Sequence, residues 1–400
     1  MAQYTYKVEL ETNTGFILDT DVLDTGVLGY LLQDVTQYVR SIRTRRGKST
    51  LQGKFTAGQM TVVFDNRTRA FDPKYTSSPY YGSIVPRRRI LFTMWETTLS
   101  RYPETMFTGW VDDWNLSYDV SGDSTSTAQC SDAFTVLSAQ NINISPPAEL
   151  SVDRFRRVLT SPGVQWSTDL MGYGSGGFTL GTAAYSGNVL DYLQSIADSE
   201  AGYLFVNKIG VVTFYNWNDM TQINSNQGQG SFISTPSNNV TDAIPVTSLE
   251  IVYGTEELVN NATITSYAGT VTVQDTTSQQ AYGIASESYP VLTSTVGEMT
   301  TLANFYITNY ANPRYRVSQI QVSLDDPRLK NFNSSSNSYK SIRGVLMLDI
   351  GQKVYVFWAP NNIGSRIEQG SQIIGFDIDA TPESCTFTYS IAGEDTRSYV

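Results

Sequence analysis

Between residues 55 and 73 the chain reads FTAGQMTVVFDNRTRAFDP, apolar at alternate positions and then abruptly polar. Met60, Val62 and Phe64 fall on one face, a period of two that predicts a half-buried strand. Asp65-Asn66-Arg67-Thr68 predicts the turn that ends it, ahead of Pro73. The alternation returns near the other end of the chain, where Cys385, Phe387, Tyr389 and Ile391 are interleaved with Thr386, Thr388 and Ser390. RRRILFTMW (87–95) and the run 107–131 also predict strands, whereas VYVFW (354–358) is apolar on both faces and predicts a central one. Up to about residue 140 the order is strand, turn, strand, as a barrel or sandwich requires.

The period changes between about 150 and 217. Asp153 is placed to cap a short helix in which Phe155, Val158 and Leu159 share a face and Pro162 is the stop. A second helix is predicted to start at Asn188, with Asp191 in its first turn, Val189, Leu193, Ile196 and Ala197 along one stripe, and Gly202 at its end. GYLFVNKIGVVTFYNW then predicts a hairpin with its tip at Asn207-Lys208-Ile209-Gly210. Residues 218–245 are polar and rich in glycine, serine and asparagine, which predicts a linker. Thr295 and Glu298 form a capping box for one further helix, about 296–310, with Met299, Leu302, Ala303 and Tyr306 on one face and Pro313 beyond it. The chain is thus expected to divide into a β-barrel domain (1–145), a small α+β insert (146–217), a linker (218–245) and a second β domain carrying one helix (246–400).

A chain of 400 residues exceeds what one core usually spans, so several domains are expected. Only 16% of residues are charged, while tyrosine (25) and phenylalanine (17) are plentiful, which favours strand surfaces. The formal net charge of -11 makes the molecule repel polyanions, the wrong sign for gripping DNA. Two distant cysteines, Cys130 and Cys385, are expected to be buried thiols rather than a disulfide. The start MAQYTYKVELETNTGF lacks a basic segment followed by an apolar run, and 18 consecutive apolar residues occur nowhere. The expectation is a soluble protein made in a reducing compartment.

The sequence offers little to reaction chemistry. Without a single histidine, Ser-His and Cys-His nucleophile pairs and the commonest zinc sites cannot be assembled. Asp112-Asp113 and Asp325-Asp326 are adjacent and point to opposite faces of a strand; Asp377 and Asp379 share a face but read as solvated carboxylates. MGYGSGGFTLG (171–181) lacks the Gly-Lys-Ser/Thr ending of a phosphate loop and predicts a flexible loop. No catalytic residue, cofactor or metal site is expected.

The order of several segments resembles the minor tail proteins of long-tailed bacteriophages, of the baseplate-hub or tail-tip class. The resemblance rests on the opening stretch, SPYYGSIVPRRRILFT and FTGWVDDWNLSYD; on YLQSIADSEAGYLFVNKIGVVTFYNW; and on LVNNATIT, SQQAYGIASESYPVLT, LANFYITNYANPRYRVSQIQVSLD and IGQKVYVFW. It covers most of 30–130 and 185–400. It implies a mainly β fold with two tail-tube-like β-barrel domains and an inserted helix-and-hairpin domain. It further implies a structural virion protein of the tail tip, assembled in the host cytoplasm as a homotrimeric hub ring.

By this resemblance the ring would continue the tail tube, with a distal tail or tube protein above, tip, fibre or central spike proteins below, the tape measure protein as a further partner, and DNA only in transit. Arg67, Arg69, Arg87, Arg88 and Arg89 are then expected at subunit contacts, since the guanidinium fork suits partly desolvated carboxylates. Asp119, Asp123, Asp325 and Asp326 are expected on the lumen, where like charge keeps DNA off the wall. A hexameric distal-tail ring and a receptor- or carbohydrate-binding tail component, with tyrosines and tryptophans stacking on sugars, stay open as alternatives. A wall-degrading enzyme is disfavoured by the missing histidines.

Overall fold

The computed structural model describes residues 4–12, 32–50, 52–99, 102–217, 219, 230–233, 243–329, 341–359 and 367–393. Fourteen strands belong to one sheet. In chain order they are β1 (Tyr4–Glu11), β2 (Leu32–Asp34), β3 (Val39–Gly47), β4 (Thr56–Asp65), β5 (Arg89–Glu96), β6 (Glu104–Ser117) and β7 (Thr125–Ser131), and then β8 (Gly230–Ile233), β9 (Ile244–Pro245), β10 (Ser248–Val252), β11 (Arg316–Ser323), β12 (Lys353–Trp358), β13 (Ile367–Ala380) and β14 (Cys385–Gly393).

Two seven-strand paths run through this sheet, joined where β3 pairs antiparallel with β13. The first is β3-β4-β7-β6-β5-β1-β2, the second β9-β8-β12-β13-β14-β11-β10. Laid flat, seven strands would span roughly 29 Å. Yet the ends of the first path, Asp34 of β2 and Val39 of β3, lie within ~18 Å of each other by chain length alone, and those of the second, Pro245 and Ser248, within ~11 Å. Each path therefore curls back on itself. The result is mainly β, as the alternating runs predicted, and has the two curled sheets that the resemblance implied.

The two curls meet with their backbones in close contact. Gly47 ends β3 with φ +88, and a Cβ there would collide with the Ile374 carbonyl oxygen and the Gly375 Cα. Glycine is required twice over, for the left-handed angle and for the approach.

The opening segment behaves as its pattern dictates. Met60, Val62 and Phe64 of β4 are buried. The buried Asn66 side chain accepts the Phe71 amide at 2.9 Å, folding the turn so that Phe71 stacks on Phe64 with ring centroids 4.3 Å apart and on Trp114 at 5.9 Å. Cys130 and Cys385 are buried free thiols.

Beyond β7 the chain builds an α+β unit from α1 (Ala133–Ser138), α2 (Ser151–Leu159) and α3 (Val189–Asp198) with the hairpin Tyr203–Val206/Val212–Tyr215. Asn188 caps α3 as expected, accepting the Leu190 and Asp191 amides, and Gly210 takes φ +87 at the hairpin tip. Three local expectations are corrected. Helix α2 starts at Ser151 with Leu150 in the capping position and no side-chain cap, so Asp153 sits inside the first turn, where it favours the dipole. The left-handed residue after α3 is Ala201 (φ 51), not Gly202. The glycine-rich 171–181 segment is tied down: Met171–Tyr173 pairs parallel with Val212–Phe214, and Phe178 donates its amide to the buried Glu200 carboxylate at 3.1 Å.

The 218–245 stretch, expected as a linker, contributes strands β8 and β9, parallel to each other and to β12. Its polar composition hid them because they are only four and two residues long. Between β10 and β11 lies a second α+β unit, a three-stranded sheet (Gly269–Gln274, Asn261–Ser266, Ser286–Pro290) with α4 (Thr276–Tyr282) and α5 (Val296–Tyr310). Helix α5 starts at the predicted box: Thr295 Oγ1 accepts the Glu298 amide at 3.3 Å. With α6 (Ile342–Met347), the C-terminal half carries three helices among the described residues rather than one. The second unit has its own core around Val259, Ile264, Met299 and Phe305, separate from the core shared by both curls and the first unit.

An open eight-stranded wall as the candidate functional site

Eight consecutive strands of the sheet, β6-β7-β4-β3-β13-β14-β11-β10, are all antiparallel to their neighbours. The two faces of this wall differ in chemistry because side chains alternate along each strand. One rung on the inner side, Val111, Cys130, Met60, Thr44, Ile378, Phe387 and Val322, is buried from end to end. The adjacent rung on the other side is Asp113, Gln129, Thr61, Arg43, Asp379, Thr386 and Ser323, polar throughout and partly or fully exposed. A second such rung carries Gln59, Arg45, Asp377, Thr388, Gln321 and Ser248. Among the described residues no helix or second sheet packs on this face.

Charge on the wall is concentrated at its centre and largely cancels. Arg43 Nε donates to Asp379 Oδ1 at 2.5 Å, and Arg45 stands opposite Asp377 in the same strand pair. The hydrogen bond to Asp379 raises the Arg43 pKa, while partial burial raises that of Asp377 against the pull of Arg45. Asp113 and Glu250, towards the two ends, add uncompensated negative charge, so the face is weakly acidic and otherwise made of uncharged hydroxyls and amides.

The arginines singled out in the sequence lie along the 66–88 connection and the start of β5. Arg67 is exposed and chelates Asp65, holding that carboxyl down to about 2; Arg69 (φ 59) does the same for Asp72. Arg87 (φ 67) is exposed, 3.7 Å from Asp112. Arg88 reaches the buried Glu11 at 3.5 Å, and the same carboxylate accepts the Arg89 amide at 3.0 Å. The Arg89 side chain is exposed at the end of β5.

The four aspartates expected on a lumen occupy strand ends rather than the wall face. Asp119 accepts the Ser121 amide and Asp123 pairs with Arg40, both in the β6–β7 turn. After β11, Asp325 accepts the Cys385 amide at 3.1 Å and Asp326 pairs with Arg328. The acids on the open face are Asp65, at the rim beside Arg40 and Arg67, and Asp113, Glu250, Asp377 and Asp379. Strand alternation alone would have found the last two, which the sequence already put on one face; Glu250 needed the pairing of β10 with β11.

Two curled sheets fused into a wall, with an α+β unit inserted in each half, make up a tail-protein fold. In particular, 98% of the chain aligns with the tail protein from Neisseria meningitidis MC58 (TM-score 0.60, 10% identity, 97% of that chain). It aligns equally with the 43 kDa tail protein of prophage MuSo2 from Shewanella oneidensis (TM-score 0.55, 12% identity, 98% of this chain and 100% of that one). At these identities the likeness is one of fold. No family model matches the chain, and no curated protein matches it in sequence.

Proposed function

We propose that the chain is a non-enzymatic structural component of a phage tail tip, and that three copies form a hub ring whose walls line the passage for DNA. The observation that supports this reading is the wall itself, one face sealed by the core and the other left wet and polar across eight strands. A hydrated conduit needs so wide a polar sheet, hydrogen-bonded to water along its whole face.

The wall splits at the β3–β13 join into two four-stranded halves, so three copies present six similar units and can stack on a sixfold tube. Three walls make twenty-four strands, roughly 115 Å of circumference at about 4.8 Å per strand, or ~37 Å between opposite backbones before strand tilt widens it. A weakly acidic surface of hydroxyls and amides holds water and repels phosphate, so DNA slides with its counterions. The proposed neighbours are a tube or distal tail protein above, tip, fibre or spike proteins below, and the tape measure protein within, all met at assembly in the host cytoplasm.

Negative-stain images and particle mass of the purified chain test the reading. Threefold rings with a stain-filled centre are expected. Sixfold rings of single copies would favour the distal-tail alternative, and a monomer at all concentrations would overturn both.

A further inference from the structure

The two α+β units are clasped directly to each other. Gly181 donates its amide to the Leu292 carbonyl, Ser294 to that of Thr179, and Thr179 to Glu298 Oε1, each at 2.8 Å. Between the units, with the connection from β3 to β4 as a third wall, lies a cleft of about 330 Å³ that the clasp holds open in a fixed shape. Its walls bring together three kinds of group. Tyr289 and Tyr306, both half-buried, stack with ring centroids 3.9 Å apart and planes 2° from parallel, which gives the second unit a rigid aromatic rim. Gln52 and Gln194 each donate to a backbone carbonyl, that of Glu257 at 2.9 Å and that of Phe55 at 3.1 Å, so both amides are held in place. Lys48 and Lys54 set two ammonium groups against one carboxylate, Asp198, so the cleft is positive in a molecule whose net charge is -11.

We propose that this cleft binds a short saccharide that carries a carboxylate. Sugar rings lie against the tyrosine pair, their hydroxyls meet the two amides, and the carboxylate meets the lysines. The lysines are placed for this rather than for folding. Lys48 Nζ is held 5.1 Å from the Phe55 ring centre and 4.9 Å from that of Tyr203. Lys54 pairs with Asp198 at 3.1 Å, yet both side chains are exposed, at 64% and 46%, so the pair adds little stability. Asp198 is moreover the last residue of α3, the end of a helix at which a carboxylate is disfavoured. A second hollow of about 500 Å³ adjoins the cleft across Gln52 and Gly53, which line both, so a chain of sugars has room to continue. An extended peptide suits the site less well: the strand lining it ends Ser288-Tyr289-Pro290, and proline denies an added strand a ladder donor.

This inference does not depend on the ring reading, and calorimetry on the full chain tests it. Trigalacturonate is expected to bind saturably, about tenfold or more tightly than the neutral trisaccharide maltotriose and than a triglutamate peptide. Lys54→Gln is expected to weaken trigalacturonate about fivefold. Asp198→Asn, which releases Lys54, is expected to strengthen it, a gain that a merely structural ion pair would not produce. Both variants should melt within a few degrees of the parent, because the pair they break is exposed. Equal binding of the two trisaccharides, triglutamate binding as tightly as trigalacturonate, or no trigalacturonate binding at millimolar concentration would overturn the inference. So would variants that leave its affinity unchanged. None of these results bears on whether the chain forms rings, so the tail-tip reading stands or falls separately.

Discussion

Arg43 and Asp379 face each other across the strand pair that fuses the two curls, Nε to Oδ1 at 2.5 Å, on the open side of the wall. Both side chains are exposed, at 76% and 53%, so water competes for each and the pair contributes little to folding. Arg43→Ala is expected to lower stability by under about 1 kcal/mol, read as a small shift of the urea midpoint with unchanged slope. A loss of several kcal/mol would mean that the join depends on this ion pair rather than on backbone contact.

Gly47 makes the opposite prediction. Alanine there must adopt φ +88 and push into the Ile374 carbonyl, so Gly47→Ala is expected to cost about 3 kcal/mol or more. Because the strain lies between the curls, thermal unfolding should lose its single transition as β3 and β13 part. A variant as stable as the parent would show that the close approach is dispensable.

Stability should fall as pH rises from about 4 to about 7. Burial pushes the Glu200 carboxyl up to about 7 despite the hydrogen bond from the Phe178 amide, and does the same to Asp132 despite the Phe134 and Gly58 amides and Arg46. Unfolded, both titrate near about 4, so the folded state binds these protons more tightly and gives up that advantage as pH passes the folded values. For one such group the change is at most on the order of 4 kcal/mol. Asp65 and Asp72, held down to about 2 by Arg67 and Arg69, act in the other direction and only below about pH 4. Glu200→Gln should flatten the urea midpoint between pH 5 and 8; an already flat parent profile would contradict the assignment.

Reversing charge at Arg87 and Arg89 should weaken self-association about tenfold or more while leaving the monomer melting temperature within a few degrees. Arg88 must be left alone, because it and the Arg89 amide hold the buried Glu11 carboxylate, and its loss strands a buried charge. Sedimentation of Arg87→Glu/Arg89→Glu beside the parent separates the two effects; equal association would remove these arginines from the contact.

What could be read from the chain follows from how far each signal reaches. Alternation placed β4 and β14, the Thr295–Glu298 box placed α5 to the residue, and Asn188 placed α3, because caps and periods are local. The pairing of β3 with β13 joins residues more than three hundred positions apart, and nothing local announces it. Hence Asp379 reads in sequence as an ordinary solvated carboxylate, whereas the acid turns at 119–123 and 325–326 stand out in sequence but sit at strand ends. Strands β8 and β9 were hidden for a related reason: two to four residues carry no period, and only the neighbouring β12 makes them strands.

Val252 and Arg316 are register partners at the end of β10 and β11. Everything from 253 to 315 is thus a single hairpin loop that has grown a core of its own. Shortened to a tight turn, it would leave each rung of the wall in place. A change in the length of that loop can therefore be absorbed between those two rungs without altering the register of the eight strands.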